Sequence, residues 1–558
     1  MISCILKNNI TISVTKFIFI VFFFLNLAAC TEEEKPNKLT YTLEGNIIGL
    51  TGVLTIQNNH NEILQLKNNG KFIFTTPYEQ NSPYDVRLLQ VPDDLTCKIE
   101  NGSGSVTNGN ISSITISCQD VRKWFSPKLP SDHISFNGKS ANSPSVSINS
   151  QGDVIIAWTQ YDGANWRLYI RAKRNGIWNL PASFQDAISP AGSDAMMPQV
   201  AINDSGEILI VWLQSNGSHN QIFLSEYTNG QWHHPASLEE SISPTEGAAL
   251  GPQVALNNQG KAIVVWFQDA RKGLYSVFIS VRDNGQWDHP DSIDDFISPS
   301  EGEDASNPEV ALNNKGDAYI TWEQTKDNVS QIFNSEFRDG TWHHPRNIQD
   351  HISNSTVHSG AYNPKVAISD NGEAIIAWQQ VVGTLSQLFV SEYHQKKWKT
   401  PYNINTSDNM MATDIQVAID NTGHSFFTWR ESVNREARLI MSEYSDGRWG
   451  KHQTLNYFPD RIPRTPFAHR PHLAMTSSGK AILAWLEADE KGEFHLLRSI
   501  YNSNKWIGPV SEQDSLGFAE WPVLTFDCGI ADNGDAVIVW LQNNGRDDQV
   551  YISEFLKP

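Results

Sequence analysis

NPKVAISDNGEAIIAWQQVVGTLSQLFVSEYHQKKWKTP, residues 363–401, reads as one complete unit, and almost everything after residue 120 is a copy of it. Pro364-Lys365-Val366-Ala367-Ile368 alternates as a strand does, Asp370-Asn371-Gly372 turns, and Ala374-Ile375-Ile376-Ala377-Trp378 returns. The chain breaks over Val381–Ser386, runs out as Gln387–Tyr393, and turns again into Lys397-Trp398-Lys399-Thr400-Pro401. Four short strands joined by turns, with no sustained helical period, predict a small antiparallel sheet. One such sheet cannot bury both faces alone, so copies must stack.

The tryptophans count the copies. Of 18 Trp, eight end a second strand: Trp158, Trp212, Trp266, Trp322, Trp378, Trp429, Trp485 and Trp540. Eight more fall in a fourth strand: Trp124, Trp178, Trp232, Trp287, Trp342, Trp398, Trp449 and Trp506. The turn glycine keeps step at Gly152, Gly206, Gly260, Gly316, Gly372, Gly423, Gly479 and Gly534. A period of about 54 residues with four strands in each marks an all-β fold, an eight-bladed β-propeller with seven blades as the alternative. Trp124 precedes any first strand, and the last unit, ending at Gln549–Phe555, lacks a Trp-bearing fourth strand. Residues 121–127 are therefore expected to supply the outer strand of the final blade and close the ring.

Upstream, residues 1–29 carry Lys7 and Lys16, then the apolar run Phe17–Leu25, then Leu27-Ala28-Ala29 before Cys30. That run is too short for a permanent span and has the form of a secretory signal. Residues 30–38 form a charged tether. Residues 39–119 differ from the repeats. Val53-Leu54-Thr55-Ile56, Phe72-Ile73-Phe74, Tyr84–Leu88 and Ile114-Thr115-Ile116 alternate between Gly- and Asn-Gly turns, as in a small immunoglobulin-like β-sandwich. Residues 120–558 are the propeller. Cys97 and Cys118 bracket a hairpin of an exported domain, so a disulfide is expected, worth about 3 kcal/mol in the chain-entropy model. Cys528 falls where other units carry Val146, Val200 or Val254, the place of a small buried hydrophobe.

With 42 Lys+Arg against 62 Asp+Glu, the formal net charge is −20, which repels nucleic acid. No cysteine pair spaced for metal, P-loop or nucleophile elbow is evident, and no cofactor or metal is expected. His234, His289 and His344 each precede a proline two residues after a fourth-strand Trp, and repeat consensus explains them better than a shared metal ion. The recurring Trp-x-Gln (Trp212-x-Gln214 and its copies, with Glu431 and Glu487 in two) reads as scaffold, the indole filling the gap between blades and the amide holding loop backbone.

Turns between strands one and two, and three and four, are short and stereotyped. The loops on the other face, such as Asp269–Leu274, Ile352–Asn363 and Phe458–Arg470, are longer and varied, and that face is expected to bind. One part of it departs from the repeat. Arg430 and Glu431 replace Leu213 and Gln214, and Arg461, Arg464 and Arg470 follow in the next connection, with Glu487 and Trp521 beyond. An arginine cluster in an acidic protein suits a carboxylate or sulfate, and an exposed aromatic suits a sugar ring.

Two family resemblances add to this. Leu27-Ala28-Ala29-Cys30 resembles the lipobox of bacterial lipoproteins, which implies cleavage before Cys30 and acylation of its sulfur and amino group. Thr31, where an inner-membrane retention signal has Asp, implies the outer membrane. The repeats are similar to the sialidase-like propellers of bacteria, and Arg461-Ile462-Pro463 resembles their Arg-Ile-Pro motif, whose arginine binds the sialate carboxylate. The chain departs from six blades and from full Asp boxes, with shorter echoes such as Ser445-Asp446-Gly447-Arg448-Trp449, and no Tyr–Glu pair or Asp acid can be matched. The expectation is a monomeric, lipid-anchored envelope protein that binds a glycan or a protein partner, favoured over a sialidase-like hydrolase or lyase and over a structural role in envelope assembly.

Overall fold

A computed structural model describes residues 39–557 except 51, 93–94, 272, 355–358, 408–409, 434–435, 446, 456–467, 489–493, 503–504, 510–513 and 519. The signal segment, Cys30 and the tether lie outside the described residues, as do Arg461 and Arg464. Among the described residues no helix is long and apolar enough to cross a membrane. The chain forms two compact units, the second taking in Cys118–Pro558.

The first unit holds two four-stranded sheets. One runs Gly70–Glu79, Thr40–Ile48, Ile111–Asp120, Leu95–Glu100; the other runs Ile63–Leu66, Leu54–Asn58, Pro83–Gln90, Ser103–Ser105. Alternation drives the burial: Leu43, Ile47, Ile56, Phe74, Ile114 and Ile116 are essentially inaccessible, and their strand neighbours are wetter. Thr40–Ile48 pairs antiparallel with Gly70–Glu79 but parallel with Ile111–Asp120. The expected Cys97–Cys118 disulfide is present.

The second unit contains eight antiparallel sheets, six of four strands and two of five, the added strands being Tyr402–Asn403 and Gln453–Thr454. Sheet 1 is Ala141–Ile148, Val154–Tyr161, Trp166–Arg174 and Ile177–Asn179. Sheets 2 to 7 repeat it, beginning at Ala195, Ala249, Ala305, Ala361, Met411 and Ala468. Sheet 8 takes three strands from Val523–Leu556 and its fourth from Lys123–Phe125, with Trp124 opposite Phe555. Each first strand lies against the next sheet's first strand, and that of sheet 8 lies against that of sheet 1. The arrangement is propeller-like.

The second-strand tryptophans are buried between consecutive sheets. Trp212, for instance, packs with Ile155, Ala157 and Leu168 of sheet 1. In seven of the eight sheets the indole N–H donates to the Gln or Glu two residues on, as in Trp212 to Gln214 at 3.0 Å and Trp485 to Glu487 at 3.1 Å. The Gln amide then donates to loop carbonyls, Gln214 to those of Pro190 and Ser193. The scaffold reading of Trp-x-Gln is the one the geometry bears out. Each turn glycine has φ between 78° and 93°, the left-handed region a β-carbon disfavours.

Replacing Trp212 with Ala should lower stability by about 3–5 kcal/mol through the cavity it leaves, read as a shifted denaturation midpoint with an unchanged slope. In the first unit, burial pushes the Glu62 carboxyl up, but hydrogen bonds from Thr75 and Thr76 outweigh it and bring its pKa from 4.5 to about 2. A depressed carboxyl stabilises fully above pH 4.5, and that contribution is lost as pH falls toward 2. Amide protection at Thr75 and Thr76 should fall over this window in the parent and be low and flat in Glu62→Gln.

Candidate functional site

Every first strand is bulged near its start. The register slips between Asn142 and Ser145 in sheet 1, Met196 and Gln199 in sheet 2, and at matching positions in the rest. The bulged residue has positive φ in seven sheets: Ser143, Met197, Gly251, Asn307, Asn363, Asp414 and Arg470. In six of these a proline follows: Pro144, Pro198, Pro252, Pro308, Pro364 and Pro471. Proline cannot donate to the ladder, so it sits where pairing is already broken, and the bulge re-aims the side chain before it.

The first strands lie against one another from sheet to sheet, and their bulges surround a cavity of about 490 Å³. Its wall has two tiers. The bulged residues Met197, Gly251, Asn307, Asn363, Asp414 and Arg470 form one, and Gln253, Glu309, Lys365, Gln416 and His472, two residues on, form the other. The bulged end pairs with the end of the second strand (Ala141 opposite Gln160), so the cavity lies toward the face carrying the varied loops.

Neighbouring sheets fix these side chains. Glu323 accepts from Asn307 Nδ2 at 2.9 Å and from the Asn363 amide at 2.8 Å, setting two adjacent bulges. Lys365 is paired with Glu309. His472 Nδ1 lies 3.3 Å from Asp527 Oδ1, and Asp527 Oδ2 accepts from the Val146 amide at 2.9 Å, linking sheets 7, 8 and 1. Cys528 is buried beside His472, and burial together with the Asp527 charge holds its thiol well above the ordinary range, so it stays protonated and inert. Arg470 Nη1 donates to the Leu524 carbonyl at 2.7 Å.

Of the residues the sequence singled out, Arg470 lines this cavity. Glu431 and Glu487 occupy the scaffold glutamine position. Glu431 is fully buried and accepts from Trp429 Nε1 at 3.0 Å, the Thr406 amide at 3.0 Å and the Thr406 hydroxyl. Arg430 lies on the opposite face of that strand, half-buried, its Nε without a partner among the described residues. Trp521 packs on Gly545, and its carbonyl accepts from Gln542. Glu431 and Glu487 are turned into their own sheets by strand alternation. Among the described residues no group of three metal-ligating side chains occurs. His234 Nδ1 meets Ser225 Oγ at 2.9 Å and its ring stacks on Trp232, and His289 and His344 do the same with Ser280 and Ser335. Burial lowers the pKa of all three. The bulge ring was missed in the sequence, although the recurring proline before each alternating strand signals it.

Neither a protein-family model nor a curated protein matches the chain. Several solved structures are similar in strand architecture. The polysaccharide lyase Uly1 has a TM-score of 0.41 and 12% identity over 67% of this chain and 91% of its own. A Hadza microbial sialidase has a TM-score of 0.35 and 11% identity over 78% and 95%. The Aleuria aurantia lectin, solved with Fucα1-6GlcNAc, has a TM-score of 0.31 and 12% identity over 57% and 95%. At these scores the functional reading rests on the cavity itself.

A glutamine at position 431 keeps an oxygen for Trp429 Nε1 and the Thr406 amide, as Gln380 and Gln542 do for their own indoles and loop amides, and turns its NH2 to the Thr406 hydroxyl, which can accept. Glu431→Gln should therefore change stability by less than about 1 kcal/mol, measured by denaturant unfolding, whereas Glu431→Ala, which leaves these buried donors unpaired, should cost about 1–3 kcal/mol or more.

Proposed function

We propose that residues 120–558 close as an eight-bladed propeller that binds a glycan in its axial cavity, on a chain held by lipid at Cys30 to the outer membrane. The observation that carries this is the two-tiered wall of polar side chains on bulged, positive-φ backbone. Planar amides and carboxylates, with a guanidinium, supply paired donors and acceptors that match vicinal hydroxyls, and they are fixed before the ligand arrives. Sparsely populated backbone repeated around one cavity also points to use, since the surrounding ladder must hold it in place. Arg470 is placed to take an acidic substituent, and Phe267 and Met197 offer apolar surface to a ring face. Partner recognition and the destination of the lipid belong to the same reading: the Leu27-Ala28-Ala29-Cys30 signal supports export and anchoring.

A second reading, glycan cleavage, is favoured by one feature. Asp527 engages His472 Nδ1, which leaves Nε2 as the nitrogen able to take a proton from a bound sugar. Binding remains the conclusion, because His472 and Asp527 also serve the link between sheets 7, 8 and 1.

A glycan array with the purified protein, followed by titration of the best ligand, tests both. Arg470→Ala and Asn307→Ala should each weaken binding about tenfold or more, the equivalent of one hydrogen bond to a charged or planar group. Unchanged affinity in both variants refutes the axial site. Product release from the bound glycan, abolished by His472→Gln with affinity retained, would establish cleavage.

A further inference from the structure

Near the turn side, the seams between sheets are filled by cations. Arg174, one residue past the position that pairs with Trp178, donates from Nη2 to the Gly206 carbonyl of sheet 2 at 3.0 Å. Its guanidinium lies 3.8 Å from the centre of the Tyr227 ring. Arg338 occupies the same position in sheet 4 and repeats the contact, donating to the Gly372 carbonyl of sheet 5 at 3.0 Å, 3.6 Å from Tyr393. Between sheets 3 and 4, Lys261 takes the place over Phe337, 3.3 Å from the ring centre.

The seam between sheets 5 and 6 has the same receptor, and among the described residues no arginine lies over it. By register, His394 stands where Arg174 and Arg338 stand, and Tyr444 where Tyr227 and Tyr393 stand. Gly423 is the turn glycine. His394 is too short to cross; its Nδ1 turns back to Glu373 Oε1 at 2.7 Å. A cavity of about 320 Å³ opens there, walled by Glu373, Glu392, Lys399, Gly423 and Tyr444. Lys399 does not lie over the ring: its ammonium donates to Glu392 at 2.6 Å and to the Tyr444 hydroxyl at 3.4 Å, at the edge of the cavity. The second oxygen of Glu373 lies beside Gly423, in the space a β-carbon there would take. The Gly423 carbonyl accepts from Ser425 Oγ at 3.2 Å and keeps a second lone pair.

We propose that this socket receives a guanidinium group from outside the fold, carried by a small guanidino compound or by an arginine of a polypeptide. The carboxylate of Glu373 and the Gly423 carbonyl accept its N–H groups, and the Tyr444 ring stacks on its plane, as Tyr227 and Tyr393 do with the protein's own arginines. An ammonium has neither the planar face nor the fork, so a free one gains less here than a guanidinium; the Lys261 ammonium over Phe337 is held in place by its own chain.

The test is calorimetric titration of the full chain with agmatine, N-acetylarginine amide and butylammonium, with thermal unfolding alongside. Two variants accompany it: His394→Arg supplies internally the group found in sheets 1 and 4, and Glu373→Gln removes the charge. Saturable binding of a guanidino probe to the parent is expected, lost in His394→Arg, which should also unfold at a higher temperature. Glu373→Gln should weaken binding about tenfold. Binding of agmatine alone assigns the group to a free guanidino compound, and binding of N-acetylarginine amide alone assigns it to a polypeptide arginine. Equal binding to the parent and His394→Arg, butylammonium binding as tightly as the guanidino probes, or no saturation at millimolar probe overturns the proposal.

Discussion

The buried indole between consecutive sheets is the contact on which the second unit depends. It fills the wedge that opens between two twisted sheets, and its N–H is satisfied by the Gln or Glu two residues along the same strand. That acceptor also reaches the loop: Gln214, Gln268 and Gln542 donate to loop carbonyls, and Glu431 accepts from Thr406. Inter-sheet packing and loop position are therefore one interaction. Sheet 4 shows the rule by exception, because Trp322 Nε1 and Gln324 Oε1 lack partners while Gln324 still holds the Pro299 carbonyl.

Two further belts run from sheet to sheet at other heights. On the turn side, Asn149, Asn203, Asn257 and Asn313 each donate to a carbonyl of the next turn at 3.0–3.1 Å. At the rim, a third-strand glutamate accepts from the next sheet's fourth-strand indole: Glu226 from Trp287, Glu336 from Trp398, and Glu554 of sheet 8 from Trp178 of sheet 1. The last of these crosses from the end of the chain to its first repeat. Arg122, almost wholly buried, pairs with Asp120 at 2.9 Å and with Asp535 at 3.1 Å at the same junction.

The repeat, its indoles and its turn glycines were legible in the sequence because each is a local pattern with one physical cause. The fourth strand at Lys123–Phe125 was legible for the same reason: Trp124 had no first strand before it. The candidate site was not. Arg430, Glu431 and Glu487 drew notice by their chemistry, but side-chain direction in a strand is set by parity, and parity turned both glutamates inward. Arg470 was noticed as part of a loop; the structure places it at a strand bulge on the cavity wall. Bulges depend on pairing across strands, which a single strand's alternation does not carry, although Pro471 and its counterparts marked the places.

What separates scaffold from site in such a ring is the freedom each position has to vary. The second-strand Trp is the same in all eight sheets because both neighbouring sheets constrain its volume. Two residues beyond the bulge, the aligned positions are Ser145, Gln199, Gln253, Glu309, Lys365, Gln416, His472 and Asp527, all polar and of six residue types among eight sheets. Gln253, Glu309, Lys365, Gln416 and His472 of this set line the cavity. Polarity there is common to every repeat and chemical identity is not, which is the pattern expected where a rigid frame presents varied groups to one asymmetric ligand. The same logic applies on the turn side of the seam between sheets 5 and 6, where His394 is tolerated in place of arginine because Glu373 takes up its ring nitrogen.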